Sequence, residues 1–537
     1  MSNTEQNPAA EPLSSADGYA FTGPALTLGA LVRDGAARAD AQVRIPLAMM
    51  NRHGLVAGAT GTGKTKTLQG LAEQLSAAGV PVFLADVKGD LSGLGVAGES
   101  SEKLLQRTNA LGQKWTPGAF PVEFYSLGGS EPGVPIRATP TSFGPTLLAK
   151  VLDLNETQTS CLELIFHWAD NRSLELEDLK DVRKVVSYLT SDEGKADLKD
   201  LGGVSPATAG VILRELTAFA AKGAEDFFGK PEFDVTDLIR TAPDGRGVIS
   251  VLELASVQTR PELFSTFLMW LLAELFQTQP EVGDLDKPKL VFFFDEAHLL
   301  FKGASKHFVE SVTQTVRLIR SKGIGIFFVT QTPKDVPADV LAQLANRVQH
   351  ALRAFTPDDA KALKATVSTF PRSDYDLGTV LTSLGIGEAV VTVMSESGAP
   401  TPVAWTRLRA PQSLMAPMPL EARTAAVAAS PLNNRYGTAV DDISAYEKLT
   451  QKEEQEKAAT AQSEADRLAA DQAAKDAKEA QAAARASRPP TGKPARSSRS
   501  SAPASPIEAV LNSKTAQNLV NTVGKEIMRG LFGTRKR

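Results

Sequence analysis

Residues 58–65 read GATGTGKT, after the apolar run Leu55 to Ala57 and before the helical pattern KTLQGLAEQL. This G-x-x-x-x-G-K-[ST] spacing is a phosphate loop, and each part has a chemical reason. Gly58, Gly61 and Gly63 let the backbone curl until successive N–H groups, with those of Ala59, Thr60 and Thr62 between them, face an anion. The helix opening near Lys64 presents its positive end to the same point. Lys64 adds a point charge for the β- and γ-phosphates, the Thr65 hydroxyl suits Mg2+, and Lys66 completes the candidate nucleotide-binding set.

A strand–loop–helix unit needs a sheet around it. The runs GLVAGA, VPVFLAD, GVISVLEL, KLVFFFDE and IGIFFVTQ are short, nearly continuous in apolar residues, and end in small or polar ones. Strands covered on both faces by helices look like this, which predicts an α/β fold with a mostly parallel sheet. Residues 145–230 read as a helical insertion, and 385–408 as a hairpin that closes the globular unit at 21–410. ALTLGALV and AQVRIPLAMM are expected to give two or three strands before the loop. Residues 1–20 read as disordered and 411–444 as a linker. An Ala/Glu/Lys-rich helix is expected at 445–486, a basic Pro/Ser linker at 487–505 and an amphipathic helix at 506–537.

KLVFFFDEAH ends in Asp295 and Glu296. Asp295 suits magnesium held through its water shell, and Glu296 suits activation of a water for attack on a γ-phosphate. IGIFFVTQT brings Gln331 to the same carboxyl edge, where ligands of open α/β sheets bind. Arg347 and Arg353 are each candidates to neutralise transition-state charge, in cis or on a neighbouring subunit, while His350 beside them reads as structural. FLADVKGDLSGL ends a strand at Asp86, which is expected near the nucleotide. There it orients a water, a basic side chain or a loop, or else caps the next turn. Lys88 and Asp90 are expected on the loop beyond, facing a subunit or a pore.

Composition narrows the class further. A net charge of −4 argues against coating nucleic acid by bulk charge, though not against a local basic channel. A single cysteine, Cys161, points to a reducing compartment. The most apolar stretch, FLMWLLAELF, falls short of the roughly 20 residues that span a bilayer. The chain opens without a signal peptide, so a cytoplasmic location is expected.

Taken together, RHGLVAGATGTGKTKTLQ, FLADVKGDLSGL, VFFFDEAHLLF, FVTQTP and LANRVQHALRAFTPDD resemble the HerA/FtsK superfamily of P-loop motor ATPases. Within it the chain looks most like the YjgR-like branch. The resemblance spans about 21–410 and implies a RecA/ASCE-like P-loop NTPase using ATP and Mg2+. Lys64 and Thr65 then bind the nucleotide and metal, Asp295 and Glu296 form the Walker B pair, Gln331 is the sensor, and Arg347 or Arg353 is the finger. Hexameric rings that pump DNA are implied as well. The short segment before the loop departs from the β-barrel usual in HerA proteins. A second function class is a nucleotide-regulated interaction protein working through its tail on a protein or an anionic membrane surface. A small-molecule kinase is disfavoured, because Glu296 suits water.

Overall fold

The apolar run before the phosphate loop lies deep inside a 12-stranded sheet. The computed structural model describes residues 16–127, 132–254, 261–283, 285–301 and 306–486. Its strands are β1 (Ala25–Arg33), β2 (Ala36–Pro46), β3 (Gly54–Ala57), β4 (Val82–Asp86), β5 (Val122–Ser126) and β6 (Val134–Pro135). They continue with β7 (Ile249–Glu253), β8 (Leu290–Phe294), β9 (Ile324–Thr330), β10 (Asn346–His350), β11 (Glu388–Thr392) and β12 (Ala404–Leu408). The order is β2-β1-β12-β11-β10-β3-β9-β8-β4-β7-β5-β6. From β10 to β6 every neighbouring pair is parallel. From β10 through β11, β12 and β1 to β2 every pair is antiparallel.

Alternation along each strand sorts its side chains onto two cores. Val82 and Leu84 join Val251 and Phe293 on the face covered by helix α1 (Lys64–Ala77), through Leu68, Leu71, Ala72 and Leu75. Phe83 and Ala85 join Phe292, Phe294 and Trp270 on the other face. Large side chains such as Phe83 and Phe293 are 0% exposed, and each contributes about 1.5–3 kcal/mol of burial. The parallel strands expected from the sequence are β3, β4, β7, β8 and β9. Helices at Pro145–Val151, Glu156–Asp170, Leu179–Thr190 and Pro206–Ala221 fill the stretch expected to be helical. Side chains of Asn155, Asp178 and Ser205 cap the last three, each cap contributing about 1 kcal/mol.

One expectation is met and two need correction. ALTLGALV and AQVRIPLAMM supply two strands, as expected, which pair as a hairpin that extends the sheet edge-on through β12. Gly29 permits this approach, since a Cβ there would meet the Arg407 carbonyl at 2.1 Å. Disorder over 1–20 fails at Tyr19, whose ring is buried and whose hydroxyl lies 2.9 Å from the Val391 carbonyl. Residues 411–444 are no free linker. The backbone N–H groups of Gln412 and Ser413 donate to Glu73 on α1 at 2.8 and 2.9 Å, and helices follow at Leu420–Ala429 and Pro431–Tyr436. Pro and Ala content reads as a linker because composition cannot reveal a buried carboxylate waiting for donors.

Residues up to Gln455 belong to one compact unit, and those from Glu456 to a second. The helix expected at 445–486 is observed over Ala445–Ala486. The basic linker at 487–505 and the helix at 506–537 lie outside the described residues. Among the described residues, no helix is long and apolar enough to cross a membrane.

Candidate nucleotide site

The loop after β3 is fastened on both sides before it turns. Gly58 N donates to the Thr330 carbonyl of β9 at 3.2 Å, and Ala59 N donates to Ala351 after β10 at 2.8 Å. Gly61 and Gly63 then take φ values of 80° and 109°, which side chains other than glycine rarely adopt. Thr60 and Gly61 are exposed at the tip, and the Thr62 hydroxyl donates to Ala59 O at 2.8 Å. The buried Lys64 ammonium donates to the carbonyls of Gly58 at 2.7 Å and Ala59 at 3.1 Å. Burial lowers its pKa and the nearby Lys88 adds to this, while Glu296 and Asp295 oppose it. Thr65 is half-buried at the start of α1. Lys66 is engaged elsewhere, donating to Met415 O at 2.8 Å and Gln69 Oε1 at 3.2 Å.

His350 supports this loop from below. Its Nδ1 lies 3.1 Å from the Thr62 carbonyl, and its Nε2 lies 3.0 Å from the Thr67 hydroxyl. A carbonyl only accepts, so Nδ1 carries the proton and Nε2 accepts from Thr67. Complete burial holds the ring neutral, with its pKa lowered to about 4. The contact is tight: a Cβ on Gly58 would lie 2.4 Å from that of His350.

Two strands away, β8 delivers Asp295 and Glu296, both buried. Burial pushes Asp295 up to about 7 against the pull of Lys88, with Glu296 pushing the same way as burial. Its Oδ1 accepts from Glu296 N at 2.9 Å, and its buried Oδ2 has no hydrogen-bond partner. Glu296 sits at φ 48°, a left-handed conformation costly for a residue with a side chain. Its Oε1 pairs with Lys88, and His298 Nδ1 lies 3.1 Å from Oε2. Lys88 therefore does not sit apart on an outer loop, as its place in the sequence suggests.

Asp86 caps the turn that carries Lys88. Its Oδ1 accepts from Lys88 N at 3.1 Å and Gly89 N at 2.8 Å, and its Oδ2 from Leu91 N at 2.8 Å. Burial raises it to about 7, the Leu91 N–H opposes this, and Glu253 and Asp90 add to it. Of the alternatives read from the sequence, the structure shows the turn cap, and the turn it closes carries Lys88.

The remaining candidates separate. Gln331 is exposed just beyond the end of β9. Arg353 is exposed beside the phosphate loop, with Nη2 3.5 Å from Thr60 O. Arg347 lies in register with Leu55, two residues before the end of β3, and donates to Thr369 O at 3.2 Å. The structure thus brings Arg353 to the loop and not Arg347. A cavity of about 300 Å3 opens beside the loop, lined in part by Gly63, Thr67, Leu104, Arg107, Gly387 and Arg409. Arg107 spans it, donating to Gly387 O at 2.9 Å and Leu408 O at 3.2 Å. Sequence reading placed Lys88 on the loop beyond Asp86 but missed its pairing with Glu296, and it missed this cavity. A Lys two residues after a strand-end Asp was the available signal for the first.

The sequence model of the helicase HerA-like C-terminal family matches residues 32–537. The DNA double-strand break repair helicase HerA of Sulfurisphaera tokodaii is 24% identical over 379 residues, 66% of this chain and 64% of the relative. The protein of the same name from Sulfolobus acidocaldarius is 22% identical over 358 residues, with the same shares. The chain thus spans just under two thirds of the length of these relatives. The plasmid coupling protein TrwB, in complex with the non-hydrolysable GTP analogue GDPNP, aligns with a TM-score of 0.50 and 16% identity. That alignment covers 74% of this chain and 99% of TrwB, a likeness of fold. The chain belongs to the helicase HerA-like C-terminal family.

Proposed function

We propose that this protein is a Mg2+-dependent ATPase whose hydrolysis drives a ring-shaped motor on DNA. One observation carries the chemistry: the phosphate loop of β3 and the Asp295–Glu296 pair of β8 sit at the same carboxyl edge, close enough for both carboxylates to act on the Lys64 charge. The loop amides and Lys64 hold the β- and γ-phosphates, and the cavity beside Gly63 receives the nucleoside.

Magnesium fits the residues present. Asp295 has a buried oxygen without a partner, and Thr65 offers a hydroxyl at the start of α1; such an ion takes few protein ligands and completes its shell with phosphate and water. When bound, it neutralises charge building on the phosphates. Glu296 accepts a proton from water as the water oxygen attacks the γ-phosphorus and ADP departs. Gln331 contacts the attacking water or γ-phosphate, and Arg353 offsets the developing charge.

DNA as the track rests on the relatives being named DNA double-strand break repair helicases, and a ring of copies as the working form on the sequence resemblance to the HerA/FtsK superfamily. Phosphate release measured with and without duplex DNA, alongside solution mass with and without ATP, tests the proposal. Hydrolysis absent in Lys64→Ala and cut to a small residual rate in Glu296→Gln, stimulation by DNA, and a nucleotide-dependent rise in mass are the expected results. Hydrolysis that no DNA stimulates, in a chain that stays monomeric with ATP, overturns the motor.

A further inference from the structure

Lys88 and Glu296 leave neighbouring strands at the same level. Ala85 of β4 pairs with Phe294 of β8, so each chain exits the sheet beside the other, about 4.8 Å apart. The β4 exit is built rather than loose. Asp86 spends both carboxylate oxygens on three N–H groups of residues 88–91, and Gly89 takes φ 76° to close the turn. A second layer holds the turn: Ser92 Oγ accepts from Met418 N at 3.0 Å.

The β8 exit is the opposite. Glu296 has a left-handed backbone, its side chain is 7% exposed, and its Oε2 lacks a hydrogen-bond partner even with His298 Nδ1 nearby. Lys88 pairs with Oε1 while His298 Nδ1 lies 3.1 Å from Oε2, so Lys88 holds one end of the carboxylate and helps set where it points. Lys88 is itself 41% exposed along its side chain, so it reaches the pair from the open side.

We infer that Lys88 is a positioning residue for Glu296, holding the carboxylate where it can meet the attacking water. The inference rests on the base role proposed for Glu296. Lys88 acts through that carboxylate and not through the nucleotide, so its loss slows turnover and leaves nucleotide binding alone. The alternative is that the ammonium serves the γ-phosphate directly, in which case binding weakens as well.

Steady-state ATP hydrolysis of the full chain separates these, using Lys88→Met, Lys88→Arg, Glu296→Gln and the Lys88→Met/Glu296→Gln double variant. The expected result for Lys88→Met is a kcat about 10–100-fold lower with KM unchanged, since a small misplacement of a reacting group costs this much. Lys88→Arg restores most of the rate, and Lys88→Met costs nothing further in the Glu296→Gln background. An unchanged thermal midpoint in Lys88→Met excludes misfolding. An unchanged or raised kcat, a KM that rises with the loss, or a full loss repeated on top of Glu296→Gln overturns the inference. Wild-type hydrolysis in Glu296→Gln sinks the base assignment and this inference together. A silent Lys88→Met beside a strongly slowed Glu296→Gln sinks this inference alone.

Discussion

His350 links the end of β10 to the first turn of α1 through Thr67, whose hydroxyl lies 3.0 Å from its Nε2. The same ring takes the Thr62 carbonyl at 3.1 Å, so one side chain ties the tip of the phosphate loop to the helix that follows. A loop whose amides must face an anion gains from such a tie, because its shape is set before the ligand arrives.

The neutral ring makes folding pH-dependent in a known direction. Its folded pKa, about 4, lies below the ordinary 6.5, so the unfolded chain takes up a proton first as pH falls. The stability it contributes is complete above pH 6.5 and is lost down to about 4, on the order of 2–3 kcal/mol. His53, also buried and lowered to about 4, acts in the same sense. Asp86 and Asp295, raised to about 7, act in the opposite one, so only a comparison with a variant isolates His350. His350→Gln is expected to be about 1–2 kcal/mol less stable at pH 7.5, from lost buried hydrogen bonds. That gap should close or reverse by pH 4.5. Urea midpoints across this range check it, and parallel curves for the two proteins would rule out a buried neutral ring.

Why β10 escaped sequence reading follows from the same residues. The other central strands are apolar runs because helices cover both faces, whereas NRVQH carries three polar side chains that are buried and bonded internally. Asn346 Nδ2 donates to Met49 and His53 carbonyls, and Gln349 Nε2 donates to Ala57 O at the entrance to the phosphate loop. A strand that braces a loop is polar for that reason, and period-based reading passes over it. The phosphate loop and the Asp295–Glu296 pair were legible because their chemistry is local in sequence. The Lys88–Glu296 pair was not, since it exists only once β4 and β8 become neighbours.

The two arginines are predicted to fail differently. Arg353, beside Thr60, is expected to cost a factor on the order of 10² or more in kcat when changed to Ala, with little change in stability. Arg347, tied to the Thr369 carbonyl, is expected to lose about 1 kcal/mol of stability and keep its hydrolysis. Phosphate release and thermal unfolding on both variants check the assignment. Mixing Arg353→Ala with Lys64→Ala then asks whose site the arginine serves. Recovered activity in the mixture means that it acts on a neighbouring copy, and additive inactivity means that it acts on its own.

Glu73→Ala is expected to loosen the segment after β12 while leaving the sheet folded. Glu73 is buried on α1, and burial raises its pKa against the donors from Ser413 and Gln412. Removing the carboxylate strands the N–H groups of Gln412 and Ser413, about 1–3 kcal/mol for each donor left unpaired. Gln69 still donates to the Leu414 carbonyl at 2.9 Å and Lys66 to Met415, so the segment detaches only in part. Tryptic cleavage at Arg409 and Arg423 should accelerate in Glu73→Ala, and the urea midpoint should fall. Glu73→Gln keeps an acceptor for one of the N–H groups and should show a smaller effect on both. The segment also supplies Met418 N to Ser92 and Arg423 to Glu253 at 2.8 Å, both beside the turn that carries Lys88. Hydrolysis in Glu73→Ala should therefore slow along with the faster cleavage. Cleavage without slower hydrolysis would show that the turn stands without the segment.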